Sequence, residues 1–533
     1  MFMHRFWSIQ ELVEGTFEHL TPRELSRCAR TSKHISEHAL NRLYRHVNRL
    51  TDILKILGPL TVTMESHGLC KKFENDLDQK DWDRVLKYSS RTQSLFCGWG
   101  ARHCDYLSDE AFETLAGSAS HGPLFPNLRK ITWIDTEQHM IFNVASFATS
   151  FLTSLTIDVP VARDFSIPLL ELAKKAPNLE DLDLDFKWPR LSDNLSEKLQ
   201  GFDEVLIRLH NLKTLRLPHS WIQFVSLHGT LSKLLQLRVL DMSSRPVAPT
   251  YRFPDPSIGT HAPPLGPFPK LQEFRFTTSA EASFRTSCFP ANVVSLFLDI
   301  LGTPWSDVPP WMMTFQISCP HLQYLVIASS VPLPSDEEGT DLPLRIMNCA
   351  LPLRQLKLFE LHLEYPLGAS DDELREAALS WPNIEILRLC PRATDANDHP
   401  IPTLGCLEHF ARHCPSLTHL GLALNVTGSI DELPDSTYSF SESFKELVLS
   451  RSRIAKPIEV GAYLAEHLAP TTVLSFQTGP YACRLHQSFA RPSHFAEPDA
   501  PALHRQWQIV AEVLSGLRRL RKKMWMQHVT RTD

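Results

Sequence analysis

The densest group of candidate metal ligands in this 533-residue chain is Cys406-Leu-Glu-His409-Phe-Ala-Arg-His413-Cys414. Positions 406, 409 and 413 fall near one face of a helix, and thiolate and imidazole are ligands that zinc prefers. The stretch also stands where a repeat helix belongs, and Cys414-Pro415 matches Cys319-Pro320 at the same place in another repeat. Structural packing within a repeat, and not zinc binding, is therefore the expectation for this stretch. Asp181, Asp183 and Asp185 bring three carboxylates together, but in a strand alternate residues share one face, and loop-borne divalent sites use different spacing. A solvated strand face is the expectation. Gly98-Trp99-Gly100 lacks the third glycine of a dinucleotide loop, and the chain has no P-loop, no Gly-x-Ser-x-Gly elbow and no His-Glu-x-x-His helix. The cationic run Arg518-Arg519-Leu520-Arg521-Lys522-Lys523 reads either as a nuclear-import or nucleic-acid patch or as the solvated face of a helix; the acidic remainder of the chain favours the second. No catalytic set, metal site or cofactor loop emerges, so a non-enzymatic protein is expected.

What must position these residues is a repeat. Leu-x-x-Leu-x-Leu, often preceded by Pro-Asn or Cys-Pro, recurs at Leu179/Leu182/Leu184, Leu212/Leu215/Leu217, Leu237/Leu240/Met242 and Leu271/Phe274/Phe276. It continues at Leu322/Leu325/Ile327, Leu353/Leu356/Leu358, Ile384/Leu387/Leu389, Leu417/Leu420/Leu422 and Phe444/Leu447/Leu449, with weaker copies from Leu128, Leu152, Val293 and Thr471. About thirteen copies at intervals of 22 to 34 residues are not chance. The last two apolar positions alternate as in a short strand, and helix-like segments such as Ile167–Lys175 and the capped Asp371–Ser380 lie between triplets. One strand and one helix per repeat make a leucine-rich repeat, whose stacking buries a core no single copy could form. The fold class expected is α/β: a leucine-rich-repeat solenoid, a horseshoe of parallel strands plus helices, behind a small three-helix domain. An asparagine after the triplet is present only at Asn425, so repeat lengths and curvature are expected to be uneven.

The front of the chain has a different period. Ile9, Leu12, Val13, Phe17 and Leu20 recur at helical spacing. Thr21-Pro22-Arg23-Glu24 then joins a capping box to a proline at the first helical position, opening a second helix that turns Leu25, Cys28 and Ala29 inward. Ser36 can cap a third, with Ala39, Leu40, Leu43 and Val47 as its apolar positions. Three short helices bury little surface alone, so the group is expected either to dock on a partner or to shield the first repeat. Residues Ile9 to Leu50 resemble the F-box, with Ile9-Gln10 where that family usually has Leu-Pro, and over most of its length the chain resembles the F-box proteins with leucine-rich repeats. The resemblance implies a substrate receptor of a cullin-based (SCF-type) ubiquitin ligase. Ile9, Leu12, Val13, Phe17, Leu20, Pro22 and Leu25 would meet the adaptor subunit and through it the cullin scaffold, and the repeats would bind a target protein. A repeat scaffold without any ligase role is the alternative.

The expected organisation is 1–50 for the F-box-like helices, 51–124 for a helical linker or N-terminal cap, 125–480 for the irregular repeats, and 481–533 for a proline-bearing loop and a capping helix. Many of the 39 prolines fall in loops at Ser243–Pro269, Pro332–Leu344, Gly428–Ser443 and Arg491–Ala502. Eleven cysteines without framework spacing, no secretory leader in Met1–Gln10 and no long uncharged apolar run point to a soluble protein of the cytoplasm or nucleus. With a net charge of −6, nucleic acid and membranes are not expected partners.

The residue between the last two apolar positions of each triplet should face the open side of the sheet. Asp183, Arg216, Asp241 and Arg275 alternate in sign there, so lateral ion pairs are expected to occupy them. Phe297, Val326, Lys357 and Arg388 instead combine an aromatic, an aliphatic and two cations, the composition of a binding hot spot, and are the expected target-binding residues.

Overall fold

The computed structural model describes residues 9–65, 68–98, 107–117, 122–134, 141–159, 166–186, 201–218, 229–243, 268–279, 290–301, 308–329, 341–363, 365–391, 400–428, 438–449, 452–476 and 500–532. Most of each of the four proline-bearing loops, and Trp99-Gly100, lie outside these. The chain divides into two units, Met1–Leu240 and Asp241–Asp533.

In the first unit, helices α1 (Gln10–Phe17), α2 (Pro22–Cys28) and α3 (Lys33–Arg45) lead into strand β1 (His46–Val47), helix α4 (Leu50–Leu57), an antiparallel hairpin of β2 (Leu60–Glu65) and β3 (Gly68–Phe73), and helix α5 (Gln79–Ser89). Strands and helices then alternate: β4 (Ser94–Gly98), α6 (Asp109–Gly117), β5 (Lys130–Ile134), α7 (Ile141–Val144), β6 (Ser154–Val159), α8 (Ser166–Lys175), β7 (Asp181–Phe186), α9 (Phe202–Arg208) and β8 (Thr214–Arg216). Strands β1, β4, β5, β6, β7 and β8 pair in parallel, in that order. The repeat sheet thus starts well before residue 125: β1 lies in the stretch expected to be F-box-like helices, with Val47 expected on the third helix, and β4 lies in the stretch expected to be a helical linker. The reason is a degenerate triplet, Thr92/Leu95/Cys97, all buried, in which threonine and cysteine stand for leucine.

Strand β9 (Val239–Met242) lies at the division. The second unit continues with β10 (Glu273–Ser279), β11 (Ser295–Leu301), α10 (Val308–Ser318), β12 (Tyr324–Ser329), α11 (Leu342–Ala350), β13 (Leu358–His362), α12 (Asp371–Ser380), β14 (Ile386–Leu389), α13 (Cys406–His413) and β15 (His419–Leu422). After these come β16 (Asn425–Val426), β17 (Glu446–Val448), β18 (Arg453–Ile454), α14 (Pro457–His467), β19 (Val473–Ser475) and α15 (Ala500–Thr532). From β10 to β15, then β17 and β19, the strands again pair in parallel. Parallel neighbours require a crossover, and where the connections are described most of them contain a helix. Parallel strands with buried apolar pairs, many of them followed by a helix, are consistent with a leucine-rich-repeat solenoid in both units.

One backbone device sets the register. Where β5 to β9, β11 to β15 and β17 begin, two successive N–H groups donate to a single carbonyl of the preceding repeat: Thr153 and Ser154 to Arg129 O, Glu180 and Asp181 to Thr153 O, Gln323 and Tyr324 to Val294 O, Glu385 and Ile386 to Lys357 O. Side chains reinforce it one turn earlier. Asn127 Nδ2 donates to Ser90 O at 2.8 Å, Asn178 to Ser150 O at 3.0 Å and Asn292 to Pro269 O at 2.8 Å. Asparagines thus bond the preceding turn in several repeats, from a position before the triplet, in Pro126-Asn127, Pro177-Asn178 and Pro290-Ala291-Asn292. Asn425 does not join them; its side-chain oxygen accepts from Thr427 N.

Helix α15 packs along α14 and buries Trp507, Val510 and Leu514. Trp507 Nε1 donates to Ser452 O at 2.8 Å, and Arg518 donates to the carbonyls of Thr472 and Ala469, both at 2.9 Å. The helices approach so closely that a Cβ on Gly461 would lie 2.8 Å from Val513 Cβ. Alanine is the better helix former by about 1 kcal/mol, yet overpacking a tight contact costs about 1–3 kcal/mol. Gly461→Ala is accordingly predicted to lower the melting temperature and Val513→Ala in the same chain to restore part of it. A stabilised single variant would show that this contact is not tight.

Candidate functional site

The front helices are built by their caps. Thr21 N donates to Glu24 Oε2 at 2.7 Å and Glu24 N donates to Thr21 Oγ1, with Pro22 at the first helical position. The backbone hydrogen bond from Thr21 holds the Glu24 carboxyl below its ordinary pKa. The cap of helix α3 is Ser32, four residues before the expected cap at Ser36, and its side chain accepts from Ile35 N. The seven residues expected to meet an adaptor divide in two. Val13, Phe17 and Leu25 form the core with Ala39, and half-buried Leu20 packs against it. Ile9, Leu12 and Pro22 are exposed, the first two by 43% and 45%. Helical periodicity does not distinguish a position that packs inside from one that faces outward.

This small bundle is tied to the repeats. Arg91 pairs with Glu37 at 2.7 Å and also donates to Asn41, Arg45 Nε donates to Gln93 at 3.1 Å, and Tyr44 packs against Tyr88. Between α1, α3 and the turns around residues 91, 127 and 151 lies a cleft of about 760 Å³. It is lined by Arg42, Arg45, Arg91 and Arg129 against Glu14, Glu18 and Glu37, with an exposed Phe151. Its charges nearly balance.

The strand face gives a different result from the sequence expectation. Arg216 lies 3.1 Å from Asp181 and 3.9 Å from Asp183, and Arg275 lies 3.7 Å from Asp241, so lateral ion pairs do occupy the alternating row. Further along, the row runs Arg275, Phe297, Val326, Glu360, Arg388, Gly421, Val448. Lys357 is not in it. The triplet of that repeat is Leu356/Phe359/Leu361, one turn later than Leu353/Leu356/Leu358, and Lys357 is the residue before the strand, whose N–H donates to Gln323 O. Leu356 fits both readings, and an all-leucine triplet concealed the one containing Phe359. Nor are the other three exposed. Phe297 and Val326 are buried in a cluster with Ala328 and Leu358, flanked by Tyr324 and Ile386, and Arg388 is 3% exposed. The exposed aromatic-and-cation patch therefore does not exist.

In its place is a buried charge network. Arg388 Nη1 lies 3.1 Å from Glu360 Oε1 and Nη2 lies 3.2 Å from Glu446 Oε2. His362 Nε2 sits 3.1 Å from Glu360 Oε2, and Ser475 Oγ donates to Glu446 at 2.7 Å. Arg388 is on β14 and Glu446 on β17, so the side chain must cross β15. It can do so because the residue between is Gly421, where a Cβ would lie 3.0 Å from Arg388 Cγ. Glu360, Glu446 and Gly421 were missed in the sequence; a charge, a glycine and an opposite charge at matching repeat positions are the signal that could have found them.

The cysteines pack in the core. Cys414 Sγ contacts Ala378 O and Trp381 O, and Cys319 Sγ contacts Pro290 O, each a carbonyl of the preceding repeat. Burial pushes both thiols up to about 12. Cys406 is also buried with its pKa raised by desolvation. Among the described residues, no group of three or more His, Cys, Asp or Glu could hold a metal ion.

No family model matches the chain, and no curated protein matches it. Among solved structures it is similar to the Rad7 and Elc1 complex in yeast, at 15% identity over 69% of this chain and 86% of that one, with a TM-score of 0.32. It is also similar to the mouse RP105/MD-1 complex, at 14% identity over 73% and 63% with a TM-score of 0.32. A TDR receptor matches at 11% identity over 75% and 70%, with a TM-score of 0.25.

Two predictions follow from the buried groups. Removing one partner from a buried ion pair strands the other, at about 3–5 kcal/mol. Arg388→Met should therefore lower stability to urea by about that much, and Glu360→Gln added to it should recover a large part; equal loss in single and double variants would count against the network. Second, Cys319, Cys406 and Cys414 should resist iodoacetamide in the native protein at neutral pH and react on unfolding, because the thiolate is the reactive form. Rapid native labelling would show that they are not core residues.

Proposed function

We propose that this chain is a substrate receptor of a cullin-based ubiquitin ligase, whose front helices dock on the adaptor subunit while its repeats hold a target protein. The observation that carries the reading is the division within the F-box-like pattern. Val13, Phe17 and Leu25 already form the small core with Ala39, so the side chains of Ile9, Leu12 and Pro22 lie outside it and present apolar surface outward. Desolvating such side chains is what a docking helix contributes. The chain itself would do no chemistry. Holding a target beside a charged ubiquitin carrier turns a bimolecular encounter into a local one and raises its effective concentration. Cytoplasm or nucleus is where such a ligase works; none of the described helices is long and apolar enough to cross a membrane.

The contacts from Arg91 to Glu37 and from Tyr44 to Tyr88 favour a second reading, in which the front helices only shield the first repeat of an interaction scaffold. The two readings part at Leu12. Leu12→Glu should weaken co-purification with the adaptor at least about tenfold, the effect of roughly 1.4 kcal/mol, while leaving the melting temperature unchanged. Phe17→Ala, in the core, should instead destabilise the front helices by about 3–5 kcal/mol. A Leu12→Glu chain that still recovers the adaptor in full would sink the ligase reading. With Phe297, Val326 and Arg388 buried, the target surface is assigned to the repeats without those residues.

A further inference from the structure

Helix α15 carries a feature that neither reading uses. Its packed face ends at Arg518 and Arg521, whose guanidinium groups donate to Thr472 O, Ala469 O and Ala465 O, carbonyls at and after the end of α14. Cations there satisfy carbonyls that a helix end leaves open. These two arginines fix the rotation of the helix at this point. Arg519, Leu520, Lys522, Lys523 and Met524 are all exposed, Leu520 by 57% and Met524 by 68%. At 3.6 residues per turn, Arg519 and Lys523 form one stripe, and Leu520 and Met524 form the stripe beside it. From 513 to 532 the sequence has no Asp or Glu, so nothing on this stretch of helix offsets its cations.

We propose that this face of α15 docks on an anionic lipid bilayer. Cations beside exposed leucine and methionine on a fixed helix match a surface that is charged outside and apolar within. A nucleic acid would engage the cations through its phosphates and leave Leu520 and Met524 in water. Binding of such a helix scales with the apolar area it buries plus its attraction to anionic lipid, and the two stripes supply one of each. The net charge of −6, which argued against membranes, does not decide the matter. At physiological ionic strength charges interact over about 8 Å, so a bilayer meeting α15 senses the local cations and not the distant acids.

The test is flotation of the full-length chain with vesicles of phosphatidylcholine alone and of phosphatidylcholine with roughly one-third phosphatidylserine. Binding to the second, absence from the first and release by about 0.5 M NaCl are expected. Arg519→Glu with Lys523→Glu should reduce binding more than about tenfold, since each basic residue near an anionic surface matters by a factor of about five. Leu520→Ser with Met524→Ser should also abolish flotation. All four side chains are exposed, so an unchanged melting temperature should accompany each variant and exclude unfolding as the cause. No flotation of the unaltered chain overturns the proposal. So does retention of a DNA duplex that Leu520→Ser with Met524→Ser leaves intact while vesicles are ignored, which would assign the face to nucleic acid.

Discussion

Along most of the described sheet, a repeat depends on a carbonyl that belongs to its predecessor. Two successive N–H groups at the start of the strand share one such oxygen, and this places the apolar pair of the new strand directly against the last pair. A buried donor without an acceptor costs free energy comparable to a lost hydrogen bond, so the stack tolerates variation in helix length but not in this junction. The asparagine amides at 127, 178 and 292, and the thiols of Cys319 and Cys414, bond carbonyls of the same preceding turns. Trp381 does likewise, its Nε1 donating to Ala350 O at 3.3 Å. Chemically different side chains thus serve one requirement, which is why the turn sequence varies from Pro-Asn to Cys-Pro without disturbing the strand that follows.

The second unit adds a second layer of order on the open side of its sheet. Buried ion pairs contribute little net stability, because desolvation offsets their attraction. What Arg388 does is bind β14 to its neighbour β13 through Glu360 and, over Gly421, to β17 through Glu446. Beside it Phe297 and Val326 pack among Tyr324, Leu358 and Ile386. Residues that in a regular repeat would face a partner here face one another.

Sequence periodicity made the repeat, the strand positions and the lateral Asp/Arg pairs legible, because each repeats many times and local errors average out. It could not make burial legible at unique positions. Phe297 was expected outside because its neighbours in sequence follow the strand alternation, and alternation reports which face a residue is on, not what covers that face. Lys357 was misplaced because one leucine, Leu356, begins the true triplet and also sits inside a false one. The sheet strand at Ser94–Gly98 went unseen because cysteine and threonine carry the pattern there. In the front helices the same limit separated Leu12 from Phe17: both lie on apolar spacing, and only the packing of three helices tells them apart.

The way α15 covers the second unit bears on how the chain is made. Synthesis runs from the N-terminus, and stacked repeats can order as they appear, each on the one before. The repeats around β17 and β19 are an exception. Trp507, Val510 and Leu514 are buried where α15 packs along α14 and β18, and Arg518 closes the carbonyls of Ala469 and Thr472, but all of these residues are translated after the repeats they complete. Until then α14 lacks the cover that α15 gives it, and a nascent chain that ends before α15 would leave that contact unmade.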